Sequence, residues 1–482
     1  MSAAHPFLFE VNARVRLAAL SRAAGRAMTL ADVEGDALDA FAPRGVDFAW
    51  LVGVWETGPI ARALAQTDQD LRGAYDRALP GWTDDDILAS PYAVADYTVA
   101  PDLGGDTALA ILRQRLRERG CRLVLDFVPN HVGRDHAWVT DRPELFVQRP
   151  VGTEYDGFRV GDTWIACGRD PFFAPWRDTA QIDYRSSGAR DMMLAALRSI
   201  AQRCDGVRCD MAMLVLSDQF ERTWSAWPRP ADASGDEFWP NAIATVREDT
   251  RHRGDRDGFL FLAESYWDLE YRLQTLGFDF TYDKRLYDHL ARFDVDFLRG
   301  HLGADWSFAR RCARFVENHD EERAATVWPS PVTAAATVSA LTLPGARLIN
   351  DGQIEGRRIR SPVQLGRWQD EAPDDGIGRV IRAILGARDV LTGDWTCINV
   401  EAPAFAWSWD VGMRGRSLIV VNLSDGRLAR RIRLPETGIA GRSIHLIDRL
   451  ASRDIVCDGD TAAGDGIVLD LNPWQASLFE IV

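Results

Sequence analysis

The residues of this sequence with the clearest chemical potential are acids that follow short apolar segments. Asp126 lies within RLVLDFV, Asp210 ends GVRCD, Glu264 follows FLFLA, and Asp320 ends VENHD. A single Asp after a strand is commonly a helix cap. A set of acids in this kind of position, with Arg, His and Asn at fixed offsets, instead indicates an active site.

The spacing of two of these acids predicts different protonation states. Arg208 and Asp210 lie two residues apart on a predicted strand, so they point the same way. A guanidinium beside a carboxylate lowers its pKa, which would keep Asp210 ionised as a nucleophile. Glu264 lies among apolar and aromatic residues and is expected to carry a proton. Such a pair is what retaining glycoside hydrolysis requires, with the carboxyls roughly 5–5.5 Å apart.

Several neighbouring side chains are candidate sugar ligands. Asp320 beside His319 could hold sugar hydroxyls, and Trp267 offers an aromatic face to the apolar face of a sugar. His131 follows Pro129 and Asn130 at a strand end. It is equally interpretable as a ligand and as a structural histidine.

The elements that position these residues are predicted to form a (β/α)₈ barrel. Apolar segments alternate with helix-like stretches such as Ala108–Arg119 and Ala189–Gln202, a pattern that favours a parallel sheet. The chemistry of such a barrel lies at the C-terminal ends of its strands. The predicted strands are Phe7–Val11, Asp47–Val54, Arg122–Val128, Gly206–Asp210, Phe259–Ala263, Gly277–Thr281, Ala313–Val316 and Arg347–Ile349.

Two further domains are predicted. The stretch between Val132 and Asp183 is rich in Trp, Pro, Gly and Asp and is too long for a connecting loop, so it predicts an inserted subdomain. Trp138, Trp164 and Trp176 are expected to pack its core. From about Trp395 short strands predict an all-β sandwich. The predicted domains are a barrel over 1–132 and 185–392, an insert over 133–184, and a sandwich over 393–482.

Composition excludes several classes of protein. The net charge of −15 has the wrong sign for binding nucleic acid or an anionic membrane surface. Lys284 is the single lysine, so no Walker phosphate loop exists. The seven cysteines form no C-x-x-C pair, which argues against a cysteine-rich zinc module. No leader or membrane-spanning segment is apparent, so a cytoplasmic protein is expected, and no cofactor is expected.

Four ordered motifs resemble those of glycoside hydrolase family 13, the α-amylase superfamily. They are VLDFVPNH, GVRCD, LAE and VENHD, each at a predicted strand end. The segment SPYAVADY, followed by Leu103-Gly104-Gly105, resembles the part of the family that places a tyrosine under the first sugar. The insert and the sandwich match the family's B and C domains, so the resemblance covers essentially the whole chain.

The resemblance implies a role for each site residue. Asp210 would be the nucleophile, Glu264 the general acid/base, and Asp320 the carboxylate that stabilises the transition state. Asp126 would be structural within the site. The remaining candidate substrate-binding residues are Tyr92, His131, Arg208, Trp267, His319 and Arg323, with Trp267 and Arg323 at the first acceptor position.

The sequence also departs from the family's patterns. Met213 and Leu214 stand where many endo-amylases have Lys and His, which predicts an apolar wall or a small leaving group. Ala93 stands where many α-glucosidases have Asp. Asn130 and Asp183 match calcium-holding positions, but a structural role without metal is expected here.

The sequence therefore predicts a retaining α-glycoside hydrolase that acts on short α-glucosides. A transglucosylase or a phosphorylase would use the same covalent intermediate, so both stay open. A non-catalytic glycan-binding protein on this fold is disfavoured, because all three acids are present.

Overall fold

Eight parallel strands close into a barrel in a computed structural model that describes residues 4–251, 258–435, 438–451 and 453–482. Each strand pairs with its neighbours along the chain, and the first pairs with the last. We number these strands β1 to β8: Phe7–Asn12, Phe48–Val52, Arg122–Phe127, Gly206–Cys209, Leu260–Ala263, Phe280–Tyr282, Cys312–Arg314 and Ala346–Asn350. The predicted (β/α)₈ barrel is confirmed.

The sixth strand begins later than predicted. Gly277 has a φ of 118° and forms a turn, so extended backbone begins only at Phe280. The interior of the barrel is filled by large apolar side chains from its strands, including Phe48, Trp50 and Leu262. The barrel is therefore a packed core, and its chemistry is confined to its ends.

Helices surround the barrel and bury one face against it. In the helix Gly105–Glu118, Leu109, Leu112 and Leu116 recur at helical spacing and are buried. The main helices are Ala13–Ala24, Pro59–Thr67, Gln69–Ala78, Gly105–Glu118, Ser187–Arg203, Ser217–Trp224, Phe238–Arg251, Glu270–Thr275, Lys284–Arg292, Val295–Leu302, Ser330–Thr342 and Asp375–Gly386. Among the described residues, none of the helices combines the length and the apolar character needed to cross a membrane.

A small subdomain is inserted between β3 and the helix Ser187–Arg203. His131–Gly133 pairs with Thr179–Gln181 where the chain leaves and rejoins the barrel. Between them, a three-stranded antiparallel sheet contains Gln148–Arg149, Thr163–Ala166 and Gly157–Val160. Both ends of the insert therefore stand beside the C-terminal end of β3.

The C-terminal region forms the antiparallel domain that the sequence predicts. Its sheet contains, in spatial order, Asp394–Ile398, Ala404–Asp410, Arg416–Asn422, Ala476–Ile481, Ser443–Asp448 and Arg453–Asp458. Leu428–Ile432 and Ile467–Leu471 form a second, two-stranded sheet. The boundaries at residues 132, 184 and 392 stay predictions.

Candidate active site

A cavity of about 870 Å³ contains the C-terminal ends of the barrel strands. It brings together residues from the strand ends, the insert and the long loop after β8. Six of the predicted site residues line it: Tyr92, His131, Asp210, Glu264, Trp267 and Asp320. Residues that are distant in sequence therefore form one site.

Arg208 joins the acids at the floor of the cavity. Its side chain is fully buried, and one guanidinium nitrogen lies 2.8 Å from Asp210 Oδ1 and 3.4 Å from Asp126 Oδ1. The other terminal nitrogen lies 2.9 Å from Glu264 Oε2. Strand register explains this arrangement, because Arg208 on β4 stands opposite Asp126 on β3 and Leu262 on β5.

Burial, rather than Arg208, dominates the ionisation of Asp210. Desolvation raises the pKa of Asp210 to about 8; the charge of Arg208 opposes this rise and the carboxylate of Glu264 adds to it. The expectation of a lowered pKa for Asp210 is wrong, because the effect of burial exceeds that of Arg208, which acts in the expected direction. Asp210 and Glu264 contact the same guanidinium, so the ionisation of Asp210 depends on the charge of its neighbour.

Two hydrogen bonds orient Glu264. The Tyr266 hydroxyl donates to Oε1 at 2.8 Å, and the Met211 backbone N–H donates to Oε2 at 2.7 Å. Met211 has a φ of 41°, in the left-handed region that non-glycine residues rarely adopt. Strain of this kind is typical of functional sites. Here it aims the N–H of the residue after Asp210 at the second acid.

His319 links Tyr92 to two carboxylates. Its Nε2 lies 2.7 Å from the Tyr92 hydroxyl and 3.1 Å from Asp320 Oδ2, and its Nδ1 contacts Glu10 on β1. Burial opposes protonation, but the carboxylates of Asp320 and Glu10 raise the pKa of His319 well above its usual value. His319 lowers the pKa of Asp320 to about 2, although burial opposes this. Our sequence reasoning missed Glu10, an acid on an otherwise apolar strand.

His131 is neutral and lies against the insert. Burial lowers its pKa to about 3. Its ring centroid lies 5.0 Å from that of Trp176, and both side chains line the cavity. The interpretation of Trp176 as core packing therefore needs correction, because the insert contributes this residue to the cavity.

Four predicted site residues do not line the cavity, namely Asp126, Arg208, His319 and Arg323, and neither do Met213 and Leu214. Arg323 is buried, donating to Glu317 Oε1 at 2.6 Å and to the Asp351 carbonyl at 2.7 Å, so it does not shape an acceptor position. Met213 and Leu214 lie in the buried turn Ala212–Val215, so they form no leaving-group wall. Arg208 and Asp126 lie beneath the floor and act through Asp210 and Glu264.

The wall near the acid/base is aromatic and comes partly from the insert. Phe172 and Phe173 are about 70% exposed, and their backbone N–H groups donate to the buried Asp170 carboxylate at 2.6 and 2.8 Å. The ring of Phe172 packs edge-on against Trp267, with centroids 5.0 Å apart. We call Phe172, Phe173 and Trp267 the aromatic rim. The sequence signal that could have identified this rim is the pair of adjacent phenylalanines in a polar insert.

The two candidate calcium residues have protein partners instead. Both oxygens of Asp183 bind Arg185, at 2.9 and 2.8 Å. The Asn130 side-chain oxygen accepts from Gln181 at 3.0 Å. Within the described part of the chain, no group of three or more His, Cys, Asp or Glu side chains could hold a metal ion. These residues therefore do not fit a calcium site.

Sequence comparisons find similarity to α-amylases. A model of the alpha-amylase catalytic domain matches residues 77–154, which include Tyr92, Asp126 and His131. The alpha-amylase MalA of Haloarcula japonica is 26% identical over 278 residues, which are 56% of this chain and 37% of that protein. The match therefore spans little more than a third of the relative.

Solved structures share the fold along the whole chain. A noncanonic maltogenic alpha-amylase, AmyB from Thermotoga neapolitana, has a TM-score of 0.69 at 19% identity, with both chains fully covered. The alpha-amylase of Geobacillus thermoleovorans, complexed with acarbose, has a TM-score of 0.68 at 17% identity and covers 100% of this chain and 99% of its own. At these identities the likeness establishes the fold.

Proposed function

We propose that this chain belongs to the α-amylase family and is a retaining glycoside hydrolase that cleaves α-glucosides through a covalent glycosyl-enzyme intermediate. The observation that carries the proposal is the pair Asp210 and Glu264 on one guanidinium at the floor of the cavity. Asp320 and Tyr92 line the same cavity as this pair, and together the four residues form a site that can hold a sugar.

The first step forms the covalent intermediate. The Asp210 carboxylate attacks the anomeric carbon, and the bond from that carbon to the leaving oxygen breaks. The proton on Glu264 passes to the leaving oxygen, so the aglycone departs as a neutral alcohol. Arg208 contacts both carboxylates and holds the pair in place as negative charge moves from one acid to the other.

The second step releases the sugar. Glu264, now a carboxylate, takes a proton from a water whose oxygen attacks the anomeric carbon. The ester bond to Asp210 breaks, and its carboxylate is restored. Asp320, ionised beside protonated His319, supplies negative charge and hydrogen-bond acceptors to the sugar during both steps.

The substrate class follows from the cavity and from the related structures. Tyr92 offers a ring at the floor, and the aromatic rim offers apolar surfaces to a leaving group. The acarbose-bound relative supports an oligosaccharide-like ligand. We therefore propose short α-gluco-oligosaccharides and simple α-glucosides as substrates.

Product analysis tests this function. Incubation with α-glucosides such as maltose, maltotriose and 4-nitrophenyl α-glucoside should release sugar first as the α-anomer, detectable by NMR before mutarotation. Parallel reactions with inorganic phosphate and with an acceptor sugar would reveal phosphorolysis or transglucosylation as the main outcome. Release of the β-anomer would contradict retention.

A single substitution tests the nucleophile. Asp210→Asn should lower kcat by about 10⁴-fold or more, because an amide cannot form the glycosyl ester. Asp218→Asn makes the same chemical change at an exposed residue outside the cavity and should retain activity. Substantial turnover by folded Asp210→Asn, free of wild-type enzyme and of deamidation, would refute the assignment.

A further inference from the structure

Two loops meet beside the cavity and are joined through their main chains. Residues 86–88 precede the segment that carries Tyr92, and residues 364–366 belong to the long loop after β8. The Leu88 N–H donates to the Gln364 carbonyl at 2.7 Å, and a second main-chain hydrogen bond of 2.8 Å closes the other side. We call residues 86–88 and 364–366 the loop joint.

The loop joint is braced from behind. Ile87 and Leu365 pair across it and are almost fully buried. They pack in an apolar cluster against the helix Gln69–Ala78. Arg367 adds an ion pair to both carboxylate oxygens of Asp86, at 2.5 and 2.9 Å. The loop joint is therefore held in place by main-chain hydrogen bonds, by apolar packing and by a bidentate ion pair.

The loop joint forms one end of the cavity. Ser90 on one side of it and Gln364 on the other line the cavity, whereas the buried Ile87 and Leu365 do not. The paired main chain of the loop joint connects the two segments that carry these lining residues. Phe173 and Trp267 of the aromatic rim line the cavity together with Glu264.

The position of the acid/base indicates which part of the substrate lies toward the loop joint and which lies toward the aromatic rim. In the proposed mechanism Glu264 protonates the leaving oxygen, so the leaving group extends toward the aromatic rim. The sugar that becomes attached to Asp210 then lies over Tyr92, with its far side toward the loop joint. In an α-glucoside that far side carries the non-reducing end.

We propose that the loop joint closes the donor end of the cavity, so that the chain acts from the non-reducing end of its substrate and not on internal bonds. This inference rests on the proposed function and adds direction to it. The polar side chains of Arg360 and Gln364 line this end and would meet the terminal sugar hydroxyls. The substrate class is α-glucosides whose non-reducing sugar is unsubstituted.

A blocked substrate tests the closure. Maltotetraose labelled with a fluorescent amine at its reducing end is compared with the same compound carrying a 4,6-O-ethylidene group on its non-reducing glucose. The added carbons would overlap the loop joint, so kcat/KM should fall by about 100-fold or more. Chromatography should show labelled products shortened stepwise from the unlabelled end. Equal cleavage of both compounds at internal bonds would overturn the proposal.

Variants of the loop joint test whether it is the structure that excludes the blocked substrate. Arg367→Gln and Leu365→Ala loosen the wall from two directions and should raise the ratio of blocked to unblocked cleavage. Arg198→Gln removes an exposed ion pair with Asp249 elsewhere on the surface and should leave this ratio unchanged. Circular dichroism checks that each variant folds. An unchanged ratio in both joint variants would overturn the assignment to this wall.

Failure of the inference and failure of the proposed function give different results. If the unblocked labelled maltotetraose, maltose and 4-nitrophenyl α-glucoside are all stable, the hydrolase function itself is refuted, and the inference falls with it. If the unblocked compounds are cleaved and the blocked one is cleaved equally well, only the inference is refuted.

Discussion

Glu10 controls the charge on a histidine that touches the candidate catalytic residues. His319 contacts Glu10 on one side and Asp320 and Tyr92 on the other. Asp126 carries a further nearby charge. Since the carboxylates favour the imidazolium, removing the charge of Glu10 would lower the pKa of His319 and let it lose its proton at a lower pH.

The substitution Glu10→Gln is therefore expected to shift the pH dependence of kcat/KM. The alkaline limb of kcat/KM should move to lower pH by about one unit, because an opposite charge in contact shifts a pKa by one to three units. Glu317→Gln removes an equally buried carboxylate that binds Arg323 rather than His319, and its profile should not move. Loss of activity at all pH values without a shift would indicate a merely structural role for Glu10.

Most barrel strands were predictable because they are apolar runs, which local pattern is enough to identify; Cys312–Arg314 is not such a run. The acids at their ends were predictable for the same reason, since a strand end fixes where the next side chain points. The aromatic rim and the loop joint were not predictable, because each depends on contact between segments far apart in sequence. Met213 and Leu214 show the same limit. The sequence shows that both are apolar, but it does not show that their turn is buried in the core.

The aromatic rim predicts how the leaving group is bound. Trp267→Ala should raise KM for 4-nitrophenyl α-glucoside and maltose by about tenfold while changing kcat less, because the ring contacts the leaving group in ground state and transition state alike. Trp306→Ala removes a similarly exposed Trp outside the cavity and should change neither constant. Equal kinetics in both variants would contradict an acceptor-side role for the aromatic rim.

The same rim supports a preference for short substrates. An aromatic surface contributes apolar contact but few hydrogen bonds, and an unpaired buried hydroxyl costs roughly 1–3 kcal/mol. Additional sugars on the leaving-group side would therefore gain little. The predicted preference for disaccharides over starch therefore stays, but its cause changes. Phe173 and Trp267, and not Met213 and Leu214, line the cavity beside the acid/base.

At the scale of the whole molecule, a buried arginine joins the insert to the barrel. Arg185 lies where the insert ends, and its guanidinium binds both oxygens of Asp183. It also donates to the carbonyls of Trp224, the last residue of the helix Ser217–Trp224, and of Trp227 and Pro228 in the segment after it. A protein cation thus supplies the positive charge that a metal would otherwise bring to Asp183.

This arrangement predicts a fold that does not depend on calcium. Adding EDTA or calcium should leave the midpoint of thermal unfolding unchanged. Arg185→Met should lower the free energy of unfolding by about 3–5 kcal/mol, because it leaves the Asp183 carboxylate buried and unpaired. Arg198→Met breaks an exposed pair and should cost about 0–1 kcal/mol. A midpoint that rises with calcium and falls with EDTA in the wild-type chain would show that a metal, and not Arg185, stabilises this junction.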